Sequence, residues 1–363
     1  MPELSIYQDI AERTGGDIYL GVVGPVRTGK STFIKKFMET MVLPNMVGDY
    51  DRERARDEMP QSAAGRTVMT TEPKFIPDEA VEIRLEGSQA VMRVKMVDCV
   101  GYIVPDALGS VENGGPRMVH TPWSAEPVPF EEAAETGTRK VITDHATIGI
   151  VVTTDGTVGE IARQNYEEAE ARVIRELKQI NKPFAIILNS ADPGREESIA
   201  LANRLEKTYE APVALVNCLE LNADDIAHIL EMVLLEFPVS EVGVELPHWV
   251  MTLDKEHPLR ASLTEEIRKC AEKIGKTGEV RDAFSALGTK DEVARVSVDR
   301  LELGTGRALI DIKLRDDLYY SVLSELTGFS IQDDTALIEL VRGLAAMKQK
   351  YDRVAQALDE VEA

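Results

Sequence analysis

The stretch GVVGPVRTGKSTF, residues 21–33, decides the fold of this chain. It matches the pattern G-x-x-x-x-G-K-[ST] at Gly24, Gly29, Lys30 and Ser31. In such a loop the backbone N–H groups surround the β-phosphate of a nucleotide, and the N-terminus of the next helix faces it. The glycines permit close approach, the lysine bridges the β- and γ-phosphates, and the serine hydroxyl binds Mg²⁺. The stretch therefore predicts a site for a nucleoside triphosphate.

The sequence on either side of the loop has the context that the motif requires. DIYLGVVG (17–24) is a short apolar run that predicts a buried strand, and KSTFIKKFMETMVL (30–43) has apolar residues at helical spacing. Predicted strands and helices then alternate as far as Pro238, with further buried strands over 147–156, 183–193 and 211–221. This alternation predicts the α/β fold of a P-loop NTPase, with a doubly wound, mostly parallel sheet.

The pattern changes near Pro238. Beyond it the sequence predicts a strand over EVGVELPHWVMTL (241–253), a hairpin that turns at Gly304–Gly306, and an almost continuous, heptad-like helix from Asp334. We therefore expect two domains. The P-loop NTPase domain spans residues 1–238, with polar, irregular insertions near 44–66 and 105–130, and a smaller α+β domain spans residues 239–363.

Composition restricts the class of protein. The 363 residues carry a formal net charge of −22, so the average surface repels nucleic acid and anionic membrane faces. No apolar run approaches the ~20 residues that span a bilayer, and the N-terminus lacks the pattern of a signal peptide. The three cysteines are far apart and form no CxxC pair. We expect a cytoplasmic protein, without nucleic acid, whose membrane contact is indirect.

A second phosphate motif follows a predicted strand. Asp98 and Gly101 form D-x-x-G, in which the aspartate holds Mg²⁺ through water and the glycine N–H contacts the γ-phosphate. A threonine between the two motifs would close over the γ-phosphate and complete the Mg²⁺ shell. We favour Thr71, then Thr70, then Thr67; the alternative is a threonine pair in an edge strand.

The base-recognition turn is incomplete. Guanine specificity uses N-K-x-D, whereas this chain has Asn189-Ser190-Ala191-Asp192. Asp192 would pair with the guanine hydrogens, but the missing lysine weakens the case for guanine without removing it. Both ATP and GTP therefore stay open at this point, and an ordinary strand-to-loop turn is the alternative.

The residue that orients the attacking water in Ras-like enzymes, a glutamine after D-x-x-G, is absent. Tyr102 occupies that position, so another group must place the water and we expect slow turnover. Arg27 within the loop would supply positive charge to a transition state. Arg52, Arg54 and Arg56 are more simply explained as a solvated charged loop.

Several long strings resemble stage IV sporulation protein A, a family of spore-coat morphogenetic ATPases from endospore-forming bacteria. They are DIAERTGGDIYLGVVGPVRTGKSTFIKKFME (9–39), PQSAAGRTVMTTEPKF (60–75), VDCVGY (97–102), NGGPRMVHTPW (113–123) and EEAAETGTRKVI (131–142). The resemblance runs from about residue 5 through the second domain.

The resemblance implies a function. Members have a fold related to translation-factor GTPases but hydrolyse ATP, and hydrolysis drives self-assembly into the basement layer of the coat. This layer lies on the outer forespore membrane, on the mother-cell side. A small amphipathic membrane-associated peptide recruits the protein, and other coat proteins join it. The family's nucleotide lysine matches Lys30, its Walker B aspartate Asp98, and its sensor threonines Thr70 and Thr71.

Two features depart from the family pattern. Asp192 completes N-x-x-D, which leaves the choice of nucleotide less certain. The resemblance also implies a further C-terminal domain that is needed for polymerisation; we expect residues 1–363 to lack it and their assembly to be impaired.

Three functions are compatible with these residues: a Mg²⁺-dependent ATPase, which we prefer, a regulatory GTPase switch, and a scaffold that binds nucleotide without turnover. The predicted catalytic residues are Lys30, Asp98, Thr71 and Thr70, and the predicted metal ligands are Ser31, Asp98 and Thr71. The predicted nucleotide contacts are Gly24, Arg27, Thr28, Gly29, Lys30, Ser31, Thr32, Gly101, Asn189 and Asp192.

Overall fold

The computed structural model describes residues 3–46, 48–60, 73–84, 91–109, 111–112, 114–121, 124 and 126–362. The chain divides into two compact units. The first comprises Met1–Glu241, Lys276–Gly278 and Glu302–Arg307, and the second comprises Val242–Gly275, Glu279–Leu301 and Ala308–Ala363.

A sheet that has six strands in the described residues forms the centre of the first unit. Its strands are β1 (Asp17–Val23), β2 (Lys74–Arg84), β3 (Val91–Asp98), β4 (Ile148–Thr154), β5 (Phe184–Asn189) and β6 (Val213–Val216). The spatial order is β6-β5-β4-β1-β3-β2. Every neighbouring pair is parallel except β2 with β3. The predicted mostly parallel sheet is confirmed, and β2 is its antiparallel edge.

Helices cover both faces of this sheet. They are α1 (Glu3–Thr14), α2 (Lys30–Phe37), α3 (Asp49–Asp57), α4 (Phe130–Lys140), α5 (Glu167–Gln179), α6 (Glu196–Tyr209) and α7 (Ala223–Leu235). One hydrophobic core contains buried side chains of α1, α2 and α7, and another contains those of α4 and α5. Every residue of β4 and β5 is buried, as expected for central strands of a parallel sheet that is covered on both faces.

The irregular structure predicted for 44–66 is wrong for residues 49–57, which form α3. The helix was missed because Ala55 is its only buried residue, so it lacks an apolar stripe. Polar contacts hold it instead. Arg52 donates through Nε to Leu43 O (3.1 Å) and through Nη2 to Met46 O (3.0 Å). Residues 61–66 lie outside the described part of the chain.

The insertion predicted near 105–130 contains little regular structure in its described residues. Val111–Glu112 pairs with Gly115–Pro116, and Met118–Val119 pairs with Val128–Pro129. Both ladders are two residues long and antiparallel.

Arg13, near the end of α1, binds later segments of the first unit. Its Nε donates to Leu303 O (2.5 Å), Nη2 to Thr277 Oγ1 (2.9 Å) and Nη1 to Pro238 O (3.2 Å). The side chain of Arg13 therefore forms hydrogen bonds to residues that lie up to 290 positions away from it in the sequence.

The chain beyond Pro238 has the α+β character that the sequence predicted. A three-stranded sheet has the order β7-β9-β8 and consists of β7 (Glu241–Glu245), β8 (Val293–Glu302) and β9 (Arg307–Leu314). The helices are α8 (His248–Thr252), α9 (Pro258–Ala271), α10 (Val280–Ser285), α11 (Asp316–Thr327) and α12 (Asp334–Glu362). The single strand predicted over 241–253 is wrong after Glu245, because Pro247 caps the start of α8.

The last helix is largely exposed. Every residue from Val341 to Asp352 is exposed. At heptad spacing, Leu344, Met347, Tyr351 and Val354 are between 43% and 72% exposed. We call these four residues the α12 seam.

Cys99, Cys218 and Cys270 are buried, free thiols. Burial raises the pKa of Cys99 and Cys270, and it raises the pKa of Cys218 to about 12. No described helix is both long and apolar enough to cross a bilayer.

Candidate nucleotide site

The phosphate loop joins the carboxyl end of β1 to the first turn of α2. Gly24 and Gly29 both have positive φ, +137° and +98°. A Cβ atom on Gly24 would lie 2.3 Å from Val152 O, and one on Gly29 would lie 2.3 Å from Asn189 Nδ2. The two motif glycines are therefore required by close approach as well as by backbone conformation.

Lys30 lies inside the loop and is only 6% exposed. Its Nζ donates to Pro25 O (2.7 Å) and to Gly24 O (3.4 Å). Burial lowers the pKa of Lys30 to about 8, although Asp98 opposes this effect. Both acceptors of the ammonium group are thus backbone carbonyl oxygens of the loop itself.

Ser31 and Asp98 meet across the two phosphate motifs. Ser31 Oγ donates to Asp98 Oδ2 at 2.7 Å. Parallel pairing of β1 with β3 sets Asp98 opposite Val22, just before the loop. Asp98 is 7% exposed, and burial raises its pKa against the opposing influence of the Ser31 hydrogen bond and Lys30.

The hydroxyl and carboxylate oxygens of this pair fit Mg²⁺, which prefers hard oxygen ligands. The described residues contain no group of three or more His, Cys, Asp or Glu side chains that could hold a metal ion. Mg²⁺ at Ser31 and Asp98 would therefore depend on oxygen atoms of the nucleotide, as is usual for phosphate-transfer sites.

The D-x-x-G segment is hydrogen-bonded to the phosphate loop. Tyr102 N donates to Gly24 O (3.2 Å), and Val26 N donates to Tyr102 O (2.9 Å). Gly101 has φ +92°, and a Cβ atom there would lie 2.4 Å from Gly24 O and 2.5 Å from Lys30 Nζ. The segment therefore lies in direct contact with the loop and its lysine.

The side chain of Tyr102 is buried and bound to α5. Its hydroxyl donates to Glu176 Oε2, and Arg172 Cζ lies 5.2 Å from the centroid of its ring. The sequence shows that the usual glutamine is missing, but it does not show this contact, because the partners are 74 positions apart.

The structure brings Asn189 to the phosphate loop, but not Asp192. The buried Asn189 donates through Nδ2 to Thr28 O (3.0 Å) and accepts through Oδ1 from Cys218 N (3.0 Å). Asp192 is exposed, and its Oδ1 accepts from Gly194 N (3.2 Å) within its own turn. The buried Ser190 accepts from Asp192 N at 3.2 Å.

The other predicted contacts have different environments. Arg27 has φ +62°, and burial lowers its pKa. Thr28 is buried and donates through Oγ1 to Pro25 O (3.0 Å), whereas Thr32 is half-buried in α2. Thr67, Thr70 and Thr71 lie outside the described residues, so their predicted roles at the γ-phosphate remain predictions.

Glu170 is a buried residue beside Thr153 of β4, and no pattern in the sequence indicated it. It is fully buried on α5 and accepts from Arg163 Nη1 (2.6 Å) and Nη2 (2.9 Å). It also accepts from the hydroxyls of Tyr209 (3.0 Å) and Thr153 (2.5 Å), which lie on α6 and β4. An acidic residue in a strongly amphipathic helix normally indicates a solvent face, so no sequence signal pointed to this cluster.

Comparison with protein families gives two matches that together span the chain. Residues 1–238 match the model described as "Stage IV sporulation protein A, ATPase domain". Residues 239–363 match the model described as "Stage IV sporulation protein A, middle domain".

Individual relatives agree with this match. The chain is 47% identical over 354 residues to stage IV sporulation protein A of Clostridioides difficile, covering 98% of this chain and 72% of the relative. It is 48% identical over 361 residues to the protein of the same name from Bacillus subtilis, covering 99% of this chain and 73% of the relative.

Two solved structures are similar at much lower identity. The FeoB G-domain of Methanococcus jannaschii is 11% identical with a TM-score of 0.31, covering 60% of this chain and 97% of that domain. The elongation factor SelB of Methanococcus maripaludis is 14% identical with a TM-score of 0.32, covering 60% of this chain and 33% of that protein.

Proposed function

This chain belongs to the stage IV sporulation protein A family, and from that premise we propose that it hydrolyses ATP with Mg²⁺ and couples slow turnover to self-assembly. The assembly would be the basement layer of the spore coat. One structural observation carries the proposal. Lys30, Ser31 and Asp98 converge at the phosphate loop, with Ser31 and Asp98 joined at 2.7 Å.

Each residue has a defined part in this chemistry. Lys30 would exchange the carbonyl oxygens of Pro25 and Gly24 for oxygens of the β- and γ-phosphates. Ser31 and Asp98 would hold Mg²⁺, which neutralises charge on the phosphates when it is bound. Gly101 lies against Lys30, and its backbone N–H would contact the γ-phosphate. Catalysis of this kind depends mainly on positioning and electrostatic stabilisation.

The preference for ATP rests on the base-recognition turn. Ser190, in the position of the lysine, is buried, and Asn189 binds backbone groups of Thr28 and Cys218. Asn189 therefore has a structural role that is independent of the base. One observation favours the alternative, a GTPase switch: Asp192 is exposed and carries the carboxylate that guanine recognition uses.

The proposed partners follow from the family and from charge. We propose self-assembly, with other coat proteins and a small amphipathic membrane peptide as partners on the mother-cell side of the forespore. A net charge of −22 disfavours direct binding to anionic lipid and favours an adapter. The exposed α12 seam is apolar surface that supports association.

Competitive binding of ATP and GTP with Mg²⁺, followed by phosphate release, tests the nucleotide. We expect ATP to bind more tightly, Lys30→Ala to lower phosphate release at least ~100-fold, and Asp192→Ala to leave ATP affinity unchanged. Preference for GTP that Asp192→Ala abolishes would establish the switch instead. Binding without release by the wild-type chain would establish a non-hydrolysing scaffold.

Sedimentation with and without ATP tests coupling to assembly. Because the resemblance makes polymerisation depend on a further C-terminal domain, the test uses the wild-type protein with that domain. We expect it to sediment as larger species with ATP than without nucleotide, and Lys30→Ala in the same protein to be insensitive to ATP. Sedimentation of that wild-type protein that does not depend on ATP would refute the coupling while leaving the ATPase intact.

A further inference from the structure

We infer that Tyr102 is a positioning residue for hydrolysis, fixed by Glu176 on α5 so that its backbone holds the D-x-x-G segment against the phosphate loop. This inference rests on the proposed ATPase function. It assigns a role to the residue that replaces the water-orienting glutamine, and it names Glu176 as the partner that fixes it.

The backbone of Tyr102 is bonded on both sides to the loop. Its N–H donates to Gly24 O, and its carbonyl accepts from Val26 N (3.2 and 2.9 Å). Gly24 O also lies 3.4 Å from Lys30 Nζ. A shift of Tyr102 would therefore move an acceptor of the catalytic lysine together with Gly101.

The side chain of Tyr102 is anchored outside the loop. Its hydroxyl donates to Glu176, whose Oε1 also pairs with Arg172 Nε (3.5 Å) and Arg139 Nη2 (3.6 Å). Arg172 in turn binds Glu135 through both terminal nitrogens, one of them at 2.7 Å. The phosphate loop is thus connected through Tyr102 to a charged cluster on α4 and α5.

The hydrogen bond to Glu176 occupies the proton of the Tyr102 hydroxyl. Burial, together with the hydrogen bond to Glu176, raises the pKa of Tyr102, so the hydroxyl keeps its proton and donates it to Glu176. The hydroxyl therefore does not take over the part of the glutamine that orients the attacking water in Ras-like enzymes. Its contribution is to place Gly101 and Lys30, where small displacements have large effects on rate.

Tyr102→Phe in the full chain tests this role, because it removes the hydroxyl and keeps the ring beside Arg172. We expect kcat for phosphate release to fall about tenfold while KM stays within about twofold, since placement matters most in the transition state. Tyr209→Phe is the matched control. It removes another tyrosine–glutamate hydrogen bond in the same unit, to Glu170 (3.0 Å), between residues that belong to neither the phosphate loop nor the D-x-x-G segment. It should leave kcat unchanged.

Two substitutions at Glu176 distinguish a role of its hydrogen bond to Tyr102 from a role of its side-chain packing alone. Glu176→Gln keeps an acceptor for the tyrosine and should retain most of kcat, whereas Glu176→Ala should reproduce the loss seen with Tyr102→Phe. Hydrogen exchange gives a readout that does not depend on turnover. The Val26 amide, which donates to Tyr102 O, should exchange faster in Tyr102→Phe and Glu176→Ala but not in Tyr209→Phe.

Wild-type kcat in Tyr102→Phe, with Val26 exchange equal to that of Tyr209→Phe, would overturn the inference. Equal losses of kcat in Glu176→Gln and Glu176→Ala would also overturn it, because the charge of Glu176 and not its bond to Tyr102 would then matter. Absence of phosphate release from the wild-type chain would instead refute the proposed ATPase. In that case the Val26 exchange rates would still test the anchor.

Discussion

Gly101 is a residue at which the addition of one methyl group should have a large local effect. Its φ is +92°, and an added methyl group would lie 2.4 Å from Gly24 O and 2.5 Å from Lys30 Nζ. We expect Gly101→Ala to displace the lysine and to weaken ATP binding at least ~10-fold, which fluorescence titration with a labelled nucleotide can measure.

Gly15 is the matched control for this substitution. It also has positive φ, +65°, but nothing lies within 4 Å of the position of its Cβ atom. Gly15→Ala should therefore lower the free energy of unfolding by about 1–2 kcal/mol through backbone strain alone and leave ATP affinity unchanged. Equal affinities for the two variants would contradict the close contact at Gly101.

At this scale the sequence indicates residues whose spacing is part of a motif. Gly24, Lys30, Ser31 and Asp98 lie together at the phosphate loop, and their roles toward a nucleotide stay predictions. Asp192 does not join them in the structure, because its carboxylate caps its own turn. The hydrogen bond between Tyr102 and Glu176 could not be predicted from the sequence. Tyr102 lies in the segment after β3 and Glu176 lies on α5, and no sequence pattern relates two such residues.

Helix α5 combines a buried apolar face with a buried polar contact. Its Glu170 is fully buried and bound by both terminal nitrogens of Arg163. Glu170→Ala would leave the arginine without its counter-charge in a region of low solvent access. We expect the free energy of unfolding to fall by about 3–5 kcal/mol in urea titrations.

Glu168→Ala on the same helix is the control, because Glu168 is exposed. It should change the free energy of unfolding by no more than about 0.5 kcal/mol. If Glu170→Ala were equally mild, water would have to reach the guanidinium of Arg163 more readily than the structure allows.

Apolar patterns in the sequence indicate most of the elements. The central strands are predictable because their residues are continuously apolar, which matches burial on both faces of a parallel sheet. Helix α3 was missed for the converse reason: it buries only Ala55 and is held by Arg52. Hydrogen bonds from one arginine to two carbonyls leave no periodic signal.

At the scale of the whole molecule, we expect the end of α12 to contribute little to the stability of the rest of the chain. Every residue from Val341 to Asp352 is exposed. We expect removal of residues 341–363 to lower helical circular dichroism while shifting the calorimetric unfolding midpoint by no more than about 2 °C, because little apolar area returns to water.

A longer deletion, of residues 334–363, supplies the comparison. It also removes Leu337 and Leu340, which are half-buried, and should lower the midpoint measurably. A large shift from the shorter deletion would mean that the α12 seam is covered in solution.

The overall division into an α/β part and an α+β part was predictable from the change of pattern near Pro238. The sequence did not predict that residues 276–278 and 302–307 would join the first compact unit. Arg13 helps to hold both segments through hydrogen bonds to Thr277 and Leu303. Contacts between residues this far apart in sequence carry no local pattern.

The three buried cysteines have a practical consequence. Because all three native thiols are buried and burial raises their pKa, we expect them to react slowly with a maleimide at neutral pH. A cysteine introduced at an exposed position would therefore be the preferred point of attachment for a dye. Pairs of such dyes would allow single-molecule energy transfer to follow distances within this chain, with the native cysteines left in place.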